Sequence, residues 1–180
     1  MDAVIRTDIP LSILLADDNR DAADVLAVHL GLLGHSVRVV YDGSAAVRAA
    51  FADPPDCAIL DIVMPGLDGY AVARELRANA STRGTKLLAL TAYSEGEVGS
   101  RVTDAGFDRH FVKGREGRDG MEGLIQTLDN IRQLATKARE LLQSAKAEFR
   151  GMKEELREVK EGLKEVSDEL KDVRREPDRS

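Results

Sequence analysis

The 180-residue chain carries 26 Lys and Arg against 32 Asp and Glu, a formal net charge of -6, with 43% hydrophobic residues and no Trp. That balance argues against a dedicated nucleic-acid or anionic-membrane binder, and the single cysteine, Cys57, excludes a disulfide framework and a cysteine-based metal cluster. No apolar run approaches the roughly 18 residues needed to span a bilayer, and the opening MDAVIRTDIPLS lacks the apolar stretch of a secretory signal, so a cytoplasmic location is expected.

In chain order, Ser12–Ala16 (SILLA) is a short apolar run ending in acids, which predicts a buried strand. Asp21–Leu33 sets Ala22, Val25, Leu26, Leu30 and Leu33 at helical spacing, and Gly34 stops it. His29 and His35 are expected to face solvent around this helix. Ser36–Val40 (SVRVV) predicts a second strand and Ser44–Ala52 a second helix, ended by Pro54 and Pro55. Cys57–Asp61 (CAILD) reads as a buried strand and Leu67–Asn79 as a helix with Val72, Ala73 and Leu76 on one side. Lys86–Thr91 (KLLALT) and His110–Lys113 (HFVK) complete five strands, with a helix over Glu95–Ala105 between them. Short apolar strands alternating with helices predict right-handed crossovers and a parallel sheet covered on both faces, a doubly wound α/β fold.

Composition changes behind this region. Up to Gly123 there are 13 basic and 19 acidic residues; from Leu124 onwards there are 13 of each. The break falls near residues 114–123 (GREGRDGMEG), where four glycines occur in ten positions.

In a parallel α/β sheet the ligand site lies beyond the carboxyl ends of the strands. The first strand delivers Asp17 and Asp18 there, the third Asp61, the fourth Thr91 and the fifth Lys113. Crowded carboxylates repel one another, which raises a pKa or recruits a cation, and hard oxygen ligands favour Mg²⁺ with its retained waters. A carboxylate beside such an ion can act as nucleophile and form an aspartyl phosphate, while the metal, an ammonium and a hydroxyl orient the phosphoryl oxygens. Singly, each residue has a plainer explanation as a helix cap or strand end. Five of them at the ends of the right strands form a constellation.

The stretches LLADDN, AILDIVMPGLDG, LALTA and HFVKG resemble the receiver domain of two-component response regulators over roughly residues 11–132, the run DIVMPGLDG from Asp61 being the specific part. The resemblance implies a flavodoxin-like sheet of order 2-1-3-4-5. It also implies that Asp61 accepts a phosphoryl group from a histidine kinase or histidine phosphotransfer protein. Asp17, Asp18, Asp61 and the backbone carbonyl of Val63 would hold Mg²⁺. Lys113 would pair with a phosphoryl oxygen, and Thr91 would turn inward to hydrogen-bond another. His110 stands where receivers commonly carry Tyr or Phe as a rotating switch residue. The family usually has a cis proline after the lysine. Here Gly114 follows, and because a non-proline cis bond costs about 2.5–4 kcal/mol, the Lys113–Gly114 bond is expected to be trans and its loop more mobile.

From Leu124 apolar residues step 4, 3, 4, 3 through Leu142, Phe149, Met152, Leu156, Val159, Leu163, Val166, Leu170 and Val173, the mark of a left-handed coiled coil. The helix is expected to run on from the last receiver helix for some 50 residues, about 75 Å, and to end at Pro177. In a parallel pair, Glu148 faces Lys153 of the partner subunit, Glu155 the partner's Lys160, and Glu169 the partner's Arg174. An antiparallel pair sets like charges together, so the flanks favour a parallel homodimer. Leucine at a with valine at d leans towards higher oligomers. Leu134 and Leu141 widen the apolar face at the front, and a lone amphipathic helix folded back on its own domain is the plainer alternative.

The organisation expected is thus an N-terminal tail (1–10), a receiver (11–123, its last helix continuing to about 132), a coiled-coil helix (124–176) and a short tail (177–180). The chain is expected to be a phosphoacceptor switch rather than an enzyme, with no direct nucleic-acid or membrane partner. Two alternatives differ in class. A pseudo-receiver scaffold would act through its coil alone. A haloacid-dehalogenase-like phosphatase needs a second acid two residues after the nucleophile, where Val63 stands.

Overall fold

The computed structural model describes residues 9–92, 95–115 and 117–173, without the side chains of 95–98, 169, 172 and 173. Strands β1 (Ser12–Ala16), β2 (Ser36–Val40), β3 (Cys57–Asp61), β4 (Lys86–Thr91) and β5 (Arg109–Val112) form one parallel sheet in the order β2-β1-β3-β4-β5. Helices α1 (Arg20–Leu32), α2 (Gly43–Ala52), α3 (Gly69–Ala78) and α4 (Glu95–Asp104) make the crossovers, and α5 (Met121–Val173) follows a 3₁₀ turn at Gly117–Asp119. This is the doubly wound, flavodoxin-like order that the sequence leads one to expect, followed by a long C-terminal helix. Pro177 and the pairings of Glu169 and Arg174 lie outside the described residues or side chains, as does the Val173 side chain.

Local chemistry sets the element starts. Asn19, Asp42 and Asp68 each sit in extended backbone before a helix and accept a hydrogen bond from an N–H three residues on, of Ala22, Ala45 and Ala71. Residues of β1, β3 and β4 are buried on both faces, as a sandwiched parallel sheet requires. Leu14, Ala16, Ala58, Leu60, Leu87 and Ala89 pack in one core with Ala46 and Ala50 of α2, Val72, Ala73 and Leu76 of α3, and Val102 of α4. By alternation Ile13, Leu15, Ile59 and Leu88 face the opposite layer. There Leu26 of α1, Leu90 of β4 and Met121 of α5 line one cleft. Cys57 is fully buried in β3, and that burial pushes its thiol far above the ordinary range.

Arg77 stitches the lower loops together. Its Nε donates to Gly106 O (2.9 Å), its Nη1 to Arg83 O (2.9 Å) and Thr85 O (2.6 Å), and its Nη2 to Asp108 (2.8 Å). Burial alone would raise the Asp108 carboxyl, but the Leu87 N–H, Lys86 and Arg77 outweigh it and hold the group below the usual carboxylate range.

Two expectations about α1 are corrected. Its inward residues are Ala23, Leu26 and Leu30, while Ala22 and Val25 are exposed. His35 is buried rather than solvent-facing: it begins the turn into β2, where burial and the nearby Arg132 guanidinium hold its imidazole below the usual value. Arg132 Nη1 donates to Leu33 O (3.3 Å) and Nη2 pairs with Asp129. The two compact units of the chain divide between Gln133 and Leu134, ten residues beyond the change in composition. Leu124 and Leu128, the first two positions of the heptad series, are fully buried and belong to the first unit. In the second unit, Leu142, Phe149, Met152, Leu156, Val159, Leu163, Val166 and Leu170 are 53–69% exposed. Its described ion pairs are within the helix: Arg157 with Glu154 and Glu161, and Lys171 with Asp168. No helix among the described residues is long and apolar enough to cross a membrane.

Candidate functional site

The carboxyl ends of β1, β3, β4 and β5 bring the expected residues to one rim. Asp17 and Asp18 follow β1, Asp61 ends β3, Thr91 ends β4 and Lys113 is the first residue beyond β5. One carboxylate oxygen from each of Asp17, Asp18 and Asp61 lies within 4.8 Å of the other two. Asp17 and Asp61 are buried and Asp18 is exposed. Lys113 Nζ stands 2.8 Å from Asp17 Oδ2 and 2.8 Å from Asp61 Oδ2, bridging the two buried acids.

Backbone groups hold the acids in place. Asn19 N–H donates to Asp17 Oδ1 (3.0 Å) and Val63 N–H donates to Asp61 Oδ1 (3.3 Å). Lys113 N–H donates to Thr91 O (2.7 Å), tying the last strand end to its neighbour. Thr91 is fully buried, and His110, half-buried on β5, pairs in register with Ala89.

Electrostatics follow from this packing. Burial raises the Asp61 carboxyl above the ordinary value; the Lys113 ammonium opposes that rise and the Asp17 charge adds to it. Burial would lower the Lys113 ammonium, but its hydrogen bonds and charge pairing with Asp17 and Asp61 win and hold it above the usual lysine range. Asp61 is therefore a carboxylate whose burial is only partly compensated by its neighbours. The donor set fits a hard divalent cation: all ligands are carboxylate oxygens, two buried and one open to water, so an ion here can keep several waters.

Two contributions are not evident in the sequence. Gly69 begins α3 directly behind Asp61, where an added Cβ would lie 2.2 Å from Asp61 O, so only glycine lets the helix close against the strand end that presents the acid. Beside Asp17 and Lys113, an apolar cleft of about 270 Å³ is lined by Ala22, Leu26, Leu90, Val112 and Met121. The glycine stands in the DIVMPGLDG run, but its contact partner becomes visible only when α3 is folded onto β3.

Comparison with known proteins agrees with the geometry. The profile of the response regulator receiver domain matches residues 13–124. Response regulator MprA of Mycolicibacterium vanbaalenii is 36% identical over 107 residues, 58% of this chain and 45% of that protein. The chain thus spans less than half the length of that curated relative. Among solved structures, a response regulator described from Chloroflexus aurantiacus superposes with a TM-score of 0.63 at 27% identity, covering 69% of this chain and 99% of that one. The receiver domain of a sensor histidine kinase from Pseudomonas aeruginosa, solved with a magnesium ion in its active-site cleft, gives 0.56 at 33% identity, over 60% of this chain and 88% of that one.

Proposed function

The chain belongs to the response regulator receiver family of two-component signalling, and from that premise we propose that it is a Mg²⁺-dependent phosphoacceptor switch with Asp61 as the acceptor. The observation that carries the reading is Lys113 Nζ at 2.8 Å from both Asp17 and Asp61, with Asp18 completing an acidic set open to water on one side. Attack by an Asp61 oxygen on the phosphorus of a phosphohistidine forms the acyl phosphate O–P bond as the N–P bond breaks and the imidazole leaves with the electron pair. Asp17, Asp18, Asp61 and the Val63 carbonyl would hold Mg²⁺, which when bound would offset the charge that the carboxylates and the phosphoryl group set against each other.

In this reading Lys113 leaves its carboxylate bridge for a phosphoryl oxygen, Thr91 turns its hydroxyl to another, and His110 follows Thr91 as the switch residue. The donor is a histidine kinase or histidine phosphotransfer protein. The exposed stripe Val25, Val28 and Leu32 on α1 offers that protein an apolar surface on the helix that begins two residues after Asp18. The output runs through α5: the exposed seam of the second unit pairs with a second copy in parallel, with Glu148 opposite the partner's Lys153 and Glu155 opposite the partner's Lys160.

Acetyl phosphate with Mg²⁺ tests the first half. Wild type should gain one phosphate and Asp61→Asn none; equal uptake by both overturns the acceptor assignment, and none by wild type favours a scaffold acting through its coil alone. Light scattering tests the second half, since a monomer with and without beryllofluoride removes the paired helix.

A further inference from the structure

Lys113 is not aimed by its strand. Side chains leave a strand perpendicular to the sheet, yet this ammonium points along the strand ends. Asp61 lies two strands away, across β4, and Asp17 one strand further, across β3. Two strand spacings are about 10 Å, a gap the lysine and aspartate side chains close when the lysine runs along the strand ends. Contact with both acids therefore depends on the direction the backbone takes at Lys113, the first residue beyond β5.

The backbone there makes a four-residue turn. Arg115 N–H donates to Val112 O (3.3 Å), and Gly114, third in the turn, has φ +72°. Closure from the fourth residue to the first with a left-handed third residue is the pattern of a type II turn, which favours glycine there. The Lys113–Gly114 bond is trans, since the chain contains no cis peptide among its described residues. A Cβ added at Gly114 would meet no atom within 4 Å. Its requirement is thus conformational and not one of space.

We propose that Gly114 is a positioning residue: its left-handed backbone forms the turn that carries the Lys113 ammonium across the strand ends onto Asp17 and Asp61. Its effect on phosphoryl transfer rests on the acceptor role of Asp61, but its effect on the ammonium does not. The ammonium occupies two of the carboxylates that hold Mg²⁺, so a poorly aimed lysine competes less for them, and Mg²⁺ binds more tightly.

A double-mutant cycle tests this. Gly114→Ala and Gly114→Asn are each made in wild type and in Lys113→Met, with thermal melts to establish folding. Mg²⁺ affinity is read by calorimetry and phosphorylation by acetyl phosphate. In the wild-type background, alanine should tighten Mg²⁺ binding severalfold and slow phosphorylation about tenfold or more, the scale of a misplaced reacting group. Asparagine, which enters the left-handed region more readily, should recover most of both. In the Lys113→Met background, neither substitution should change Mg²⁺ affinity. Alanine behaving as wild type, or an equal change with and without the lysine, overturns the proposal. If wild type takes up no phosphate while the Mg²⁺ cycle still couples positions 113 and 114, the positioning role stands and the acceptor reading falls. If phosphorylation is intact and the coupling absent, the reverse holds.

Discussion

The two units of this chain use apolar residues in opposite ways. In the first, leucines such as Leu14, Leu60 and Leu76 are fully buried against a completed core. In the second, a seam with the same kinds of side chain is more than half exposed from Leu142 to Leu170. Burial stabilises by about 25 cal/mol per Å² of apolar surface removed from water. The first unit thus carries its stabilisation within itself, whereas the second leaves its apolar seam open to water, and under the paired-helix proposal gains that stabilisation only by association. The difference separates a unit whose packing fixes the positions of its rim residues from a surface that, if it pairs as proposed, gains stability with concentration.

The sharpest way to break this contrast is a matched pair of truncations. Leu76→Ala should cost about 3 kcal/mol in urea unfolding at any protein concentration, since it opens a cavity in the core. Leu163→Ala, at a position 66% exposed, should cost little in dilute solution, where chains are single, and progressively more as concentration rises. A concentration-independent penalty at Leu163 would assign the tail to its own domain and remove the contrast.

A smaller effect concerns the acidic pocket, where the first unit gives up stability to bury a carboxylate. Because the folded state raises the Asp61 carboxyl, ionising it opposes folding. Asp61→Asn should therefore raise Tm at neutral pH. The gap should shrink as pH falls through the raised value, where wild type takes up the proton itself, and vanish below the ordinary carboxylate value of 3.8. Thermal melts from pH 7 to pH 3 give the sign directly, and a variant less stable at neutral pH contradicts it. Lys113 titrates the other way: while its carboxylate partners are ionised, its pairing is fully present up to the ordinary lysine value of 10.5 and is lost as pH rises through its raised value.

The smallest expected effect lies in the tail. Gly151 is exposed mid-helix, and a Cβ there meets nothing within 4 Å. Gly151→Ala should stabilise the helix by up to about 1 kcal/mol, visible as greater helicity by circular dichroism without a change in phosphorylation.

The strands and the five rim residues were legible because both signals are local: an apolar run of five residues, and a polar residue at its carboxyl end. The face of α1 was not. Ala23, Leu26 and Leu30 form one stripe, and Val25, Val28 and Leu32 form another at the same 3–4 spacing, so periodicity alone cannot choose between them. His35 failed for a different reason, since its neighbours Asp129 and Arg132 stand almost a hundred positions away on α5. The heptad series was visible throughout, but its start was misleading. Leu124 and Leu128 keep the rhythm of the seam while serving the receiver core, because a single unbroken helix carries one register through both units.

Cys57 has a practical consequence. Buried in β3 with its thiolate strongly disfavoured, it is closed to maleimides, disulfide reagents and spin labels as long as the sheet is intact. To alkylating chemistry the folded chain behaves as though it had no cysteine. Reporters can be installed anywhere along α5 with the natural β3 left untouched, and the moment Cys57 begins to react becomes a clock for global unfolding.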